Sequence, residues 1–205
     1  FSGLYKWMGG VLAPNGKIYA IPYGATQVLE IDPATQTAIP FGSFPGGGTW
    51  QGGVLAPNGK IYAIPSNSTQ VLEIDPVTRD VSLFGNLSGT GKWCGGVLAP
   101  NGKIYGIPNY STKILEIDPV NKSVATFGNV PSDGNKWQGG MLASNGKIYG
   151  IPFSATQILE IDPVNRSISL FGNLSSDACK WFGGALAPNG KIYAIPYKST
   201  QILEI

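Results

Sequence analysis

Five tryptophans, Trp7, Trp50, Trp93, Trp137 and Trp181, lie 43, 43, 44 and 44 residues apart, each opening the same text, and together they predict an all-β five-bladed β-propeller. Within each unit, short apolar runs alternate with Gly, Pro, Asn and Asp, which marks strands joined by tight turns. No stretch keeps a helical period.

The unit reads as four strands. Gly9–Ala13 is the first: small, apolar and uncharged, as a crowded inner strand must be. Pro14-Asn15-Gly16-Lys17 is a turn, because Asn-Gly accepts the positive φ that a tight hairpin needs. Ile18–Ile21 is the second strand, apolar on both faces, which requires a sheet stacked on each side. Gln27–Ile31 is the third, and Asp32-Pro33 starts the next turn. The fourth runs to an aromatic (Phe41, Phe84, Phe127, Phe171) and tolerates Pro40, so it belongs on the outer rim.

The blades fall at about 7–41, 50–84, 93–127, 137–171 and 181–205, as one domain over 1–205. Phe1 aligns with Phe41, and Ile205 aligns with Ile31. The last blade is therefore expected to lack its outer strand and to present an open edge to another chain or rim segment.

Composition narrows the function classes. Charged residues are 13% and the net charge is +2, which excludes a broad basic surface for nucleic acid or a polybasic membrane anchor. Hydrophobic content is 42%, and no apolar run has the length of a membrane-inserted span. With no histidine there is no Ser-His triad and no His-based metal site, so neither a metal nor another cofactor is expected.

The text P-N-G-K-I-Y-x-I-P…L-E-I-D-P resembles the repeat of streptogramin-lyase-like and gluconolactonase-like propellers. That likeness implies the fold. The lyases it resembles use an essential histidine, which this chain lacks. Blade number and P-N-G-x-I-Y-A-I also resemble the five-bladed tachylectin family, in which each blade binds a sugar; this implies a lectin-like role without naming its contacts.

The repeated side chains admit structural and functional readings. The tryptophans are either sugar platforms or wedges between blades, and the strand that follows at once favours wedges. Glu30, Glu73, Glu116, Glu160 and Glu204 form a fivefold set that cannot make one asymmetric acid–base pair, so a bond to Lys, Tyr or Trp is expected, with Lys17 pairing across to Asp32. Cys94 and Cys179 fall in blades that are not side by side, which disfavours a disulfide.

Variable positions carry the functional expectation. After each Trp stand Met8, Gln51, Cys94, Gln138 and Phe182. The loop after the second strand offers Tyr23, Asn67, Tyr110, Phe153 and Tyr197, and the loops between blades, such as 42–49 and 129–136, vary as well. All should share one face of the propeller and make a ligand-binding surface. Six sequons, at Asn67, Asn86, Asn109, Asn121, Asn165 and Asn173, point to a secreted glycoprotein.

The expected function is non-enzymatic, lectin-like, multivalent recognition of glycans or glycoproteins. The alternatives are a structural repeat of an extracellular matrix or filament and a lyase- or lactonase-like enzyme.

Overall fold

The computed structural model describes residues 4–44 and 49–205; Phe1 and part of the first inter-blade loop lie outside them. The first blade comprises β1 (Trp7–Leu12), β2 (Ile18–Pro22), β3 (Val28–Asp32) and β4 (Thr37–Phe41). The second comprises β5 (Trp50–Leu55), β6 (Ile61–Pro65), β7 (Val71–Ile74) and β8 (Val81–Phe84). The third is β9 (Trp93–Leu98), β10 (Ile104–Pro108), β11 (Ile114–Asp118) and β12 (Ser123–Phe127). The fourth is β13 (Trp137–Leu142), β14 (Ile148–Pro152), β15 (Ile158–Asp162) and β16 (Ser167–Phe171). The fifth has three strands, β17 (Trp181–Leu186), β18 (Ile192–Pro196) and β19 (Leu203–Glu204).

Each blade is an antiparallel meander with its strands in chain order, and the described residues contain no helix. The result is a five-bladed β-propeller whose last blade lacks the rim strand. Pro40 sits on the rim strand opposite Leu29, where its missing N–H breaks no ladder.

Two local devices shape every blade. In the hairpin, Gly16 takes φ 78° and donates to the Ala13 carbonyl at 3.0 Å, while Asn15 Oδ1 accepts from the Lys17 amide at 3.1 Å. Its four copies, Gly59, Gly102, Gly146 and Gly190, also have positive φ.

At the head of the inner strand, Trp7 pairs with Pro22 and Gly10 with Ala20, so the inner strand carries one extra residue, a β-bulge. Gly9, at φ 89°, makes that bulge, and a Cβ there would stand 3.0 Å from the Gly52 Cα of the next blade. Gly52 meets Gly95, and Gly95 meets Gly139, at 3.1 and 3.2 Å in the same way. The second glycine leaves room for the previous blade: a Cβ at Gly53 would meet Ile21 at 2.7 Å, and one at Gly96 would meet Ile64 at 2.5 Å. W-x-G-G is therefore a blade-docking motif.

The core consists of four seams between consecutive blades. Ile21, Ile64, Ile107 and Ile151 are fully buried in those seams. Their fifth copy, Ile195, is 54% exposed, and only Ile18 of its own blade lies near a Cβ at Gly10. The last blade thus does not dock on the first as the others dock on one another.

The tryptophans are wedges. Trp50, Trp93, Trp137 and Trp181 are buried and Trp7 half-buried. Each indole N–H donates to a backbone carbonyl 20 residues on, at 2.7–3.0 Å.

The glutamates tie blades together. Glu30 accepts from Lys17 Nζ at 2.7 Å and Tyr19 Oη at 3.0 Å, and from Arg79 of the next blade at 2.7 and 3.0 Å. Lys122 reaches Glu73 at 2.9 Å, and Arg166 reaches Glu116 at 3.2 Å, by the same route. Lys17 lies 3.8 Å from Asp32, so its principal partner is Glu30, one alternate position earlier on β3 than the sequence pattern indicates.

Candidate ligand-binding face

One end of the propeller gathers the heads of the inner strands, the loops after the second strands and the loops between blades. The gathering is built from backbone. The carbonyl before each Trp accepts amides from the loop after the second strand. Lys6 takes Tyr23, Gly24 and Ala25 at 2.8–3.1 Å; Lys180 takes Tyr197, Lys198 and Ser199 at 2.8–3.3 Å. The three variable regions therefore share a face.

The structure sorts the sequence candidates into three groups. Met8, Phe182, Tyr110 and Tyr197 are exposed, as is Asn67, whose Oδ1 accepts from the Gly91 amide at 2.6 Å. Gln51, Gln138 and Tyr23 are half-buried. Cys94 and Phe153 are buried, against expectation. The Cys94 thiol donates to Gln138 Oε1 of the next blade at 2.7 Å, and burial pushes its pKa up to about 12, so it is an inert packing group. Cys94 and Cys179 are both free thiols.

Phe153, Phe182 and Tyr197 come together across the seam of blades four and five. Their ring centroids are 5.9–6.2 Å apart. Phe182 is 47% and Tyr197 63% exposed, so two ring faces remain open to a ligand above a buried third.

Five of the six sequon asparagines are exposed: Asn67, Asn86, Asn121, Asn165 and Asn173. Asn109 is the exception. It is buried, and its amide donates to the Trp137 carbonyl at 3.1 Å, which leaves no room for a glycan.

The sequence reading does not single out the lysine before the Trp. Lys6, Lys92, Lys136 and Lys180 hold that place, with Thr49 in the second unit. Three of these side chains are buried on this face. Lys92 Nζ donates to the Gly89, Ser68 and Ser66 carbonyls at 2.8, 2.9 and 3.1 Å, which uses all its protons. Lys136 Nζ has the Asp133 carbonyl at 2.6 Å, and Lys180 Nζ the Asp177 carbonyl at 2.8 Å. Burial lowers the pKa of all three, that of Lys136 to about 8. The legible signal was a Lys-Trp pair in four of five units.

Each of these lysines floors an equivalent cleft. The cleft at Lys92 holds about 460 Å³ and is edged by Ser88, Thr90, Tyr110 and Ser111. The one at Lys136 holds about 80 Å³, between Asp133 and Thr156. The one at Lys180 holds about 570 Å³, with Ser175, Lys198, Ser199 and Thr200 around it. The Lys92 ammonium is spent on backbone carbonyls, so its cleft offers a ligand the surrounding hydroxyls. Lys136 and Lys180, with one carbonyl bond each, can add an ammonium proton to a polyhydroxyl or anionic group.

No protein-family model matches the chain, and no curated protein sequence matches it. Solved structures do. Virginiamycin B lyase from Staphylococcus aureus superposes with a TM-score of 0.80 at 13% identity, over 98% of this chain and 69% of that one. A streptogramin B lyase structure gives 0.79 at 13% identity, over 97% and 68%. An auxiliary nutrient binding protein from Bacteroides ovatus gives 0.70 at 13% identity, over 97% and 55%. These likenesses establish the propeller fold and match the repeat type read from the sequence.

Proposed function

We propose that this propeller is a non-catalytic extracellular recognition module that binds glycans in repeated clefts on one face. The observation that carries the reading is recurrence: a lysine-floored, hydroxyl-edged cleft stands at the corresponding place in blades three, four and five, roomy in the third and fifth and narrow in the fourth. Beside the last of them, Phe182 and Tyr197 offer exposed rings on which a sugar face stacks. Weak equivalent sites on one rigid body gain affinity when the ligand is multivalent. The exposed sequons agree with an extracellular setting.

Binding of the purified chain to an array of neutral and acidic glycans tests the reading. Retention of a defined glycan class, weakened at least tenfold in a Phe182→Ala/Tyr197→Ala variant with an unchanged Tm, is the expected result. A blank array overturns it and favours the structural-repeat reading.

A further inference from the structure

The seam of blades four and five differs from the other three at its inner end, where a Cβ at Gly139 would meet nothing within 4 Å, and most of all in its outer half. At the first seam, the turn and rim strand of blade two fill this space. The Pro76 carbonyl accepts from Tyr19 Oη at 3.0 Å and Asn15 Nδ2 at 3.1 Å, and Arg79 binds Glu30. The side chain of Val81 fills the space beside Gly42, 3.1 Å from where a Cβ would stand. Pro119, Lys122 and Val124 do the same at the second seam, and Pro163, Arg166 and Ile168 at the third.

At the fourth seam the corresponding space is a groove of about 480 Å³ between Tyr149, Glu160 and Phe171 on one side and Ile192, Glu204 and Ile205 on the other. Glu160 keeps the bonds from Lys147 at 2.7 Å and Tyr149 at 2.8 Å and has no cation from blade five. Its side chain is 20% exposed, against 2%, 4% and 6% for Glu30, Glu73 and Glu116. Gly172 has no rim side chain of the next blade within 4 Å. Tyr193 is half-buried, where Tyr19, Tyr62 and Tyr105 are fully buried against a rim phenylalanine. Ile205 exchanges both backbone bonds with Ile192, at 2.8 and 2.9 Å, so strand alternation turns the Glu204 N–H and C=O toward the groove.

We infer that this groove is an acceptor for one rim segment of the repeat, an Asp-Pro turn followed by a cation, an aliphatic and a terminal phenylalanine. The fit is fixed at four points. The turn carbonyl takes the Tyr149 hydroxyl. The cation three residues after the proline takes Glu160. The aliphatic two places further on fills the space beside Gly172. The final phenylalanine closes edge-on against Tyr193. Between them the backbone extends the three-stranded sheet by β-augmentation. Each described rim strand is already paired within its own blade, so a second copy would have to open a blade to supply the segment from those strands.

The test uses a ten-residue peptide with the sequence of Asp162–Phe171 and the 205-residue chain, at a concentration where light scattering shows monomer. Expected are saturable binding, a Tm raised by several degrees, at least tenfold weaker binding of the peptide carrying Arg166→Glu, and similar weakening when the protein carries Glu160→Gln. A chain with the same ten residues appended after Ile205 gives a second readout that needs no variant at the site: its Tm rises above that of the parent, and added peptide no longer binds. Equal binding of a scrambled peptide, or no binding together with no gain in the extended chain, overturns the proposal.

Discussion

The first and fourth seams are built from nearly the same residues, yet they are not equally closed. At the first, Glu30 is buried under Lys17, Tyr19 and Arg79, and the Arg79 guanidinium holds its carboxyl at a pKa of about 2. At the fourth, Glu160 has Lys147 and Tyr149 and is held below the usual range by them, without a cation from beyond the seam. Local text sets what a blade can offer, and the neighbour decides whether the offer is taken up. The exposed edge of blade five carries the contrast further: Ile195 repeats Ile64 in sequence, yet it is more than half exposed where Ile64 is fully buried.

Substitution at that pair gives the largest contrast. Ile64→Ala should cost about 2–4 kcal/mol, since it empties a fully buried seam position. Ile195→Ala should cost less than about 1 kcal/mol. Urea titrations of both check this, and equal losses would show that the Ile195 edge of blade five is covered in solution.

Removal of the tie comes next. Glu30→Gln should cost about 2–3 kcal/mol, because Arg79 and Lys17 lose their shared anion. Glu204→Gln should leave the urea midpoint where it is. The sign of the pH dependence follows from the lowered Glu30 pKa. Its contribution is complete above the unfolded value of about 4.5 and is lost as the pH falls toward 2. Acid titration should therefore find the gap between wild type and Glu30→Gln closing over that window.

The turn glycine is subtler. Gly16→Val should cost about 1–2 kcal/mol through backbone strain alone, since no atom crowds a Cβ there. Gly53→Ala adds steric conflict with Ile21 and should cost more than Gly10→Ala, whose Cβ meets only Ile18 at 3.3 Å. Thermal melts rank the three.

The smallest effect on stability is on the ligand face. Tyr110→Ala and Tyr197→Ala should each move stability by less than about 0.5 kcal/mol, both rings being exposed, while glycan binding falls. A large loss of Tm would place these rings in the packing instead.

Much of the fold was legible because each local rule agrees with the global one. Asn-Gly at the turn, Pro40 on the rim and the doubly apolar second strand all point to the same blade. The seam cations were not read from the sequence, although a signal was there: Arg79, Lys122 and Arg166 share a position that Gln36 holds in the first blade, which docks on no predecessor. The ligand face was legible only in outline. Cys94, Asn109 and Phe153 read as surface residues, yet the bulge after each Trp and the approach of the next blade bury them. That burial depends on residues more than 25 positions away, as in the bond from the Asn109 amide to the Trp137 backbone carbonyl. The buried lysines escape for a different reason: a Lys in a loop between blades reads as solvated until three backbone carbonyls are seen to enclose one.

The glycine-to-glycine stacking of inner strands also bears on how such a chain changes over generations. Because Gly9, Gly52 and Gly95 meet backbone rather than a particular side chain, any unit can follow any other at this contact. Energetically the molecule is close to a one-dimensional array of nearest-neighbour terms. Unequal recombination that duplicates or deletes an internal unit can then restore this glycine contact without a compensating mutation, and repeat number becomes a quantity that selection can vary separately from the ligand face.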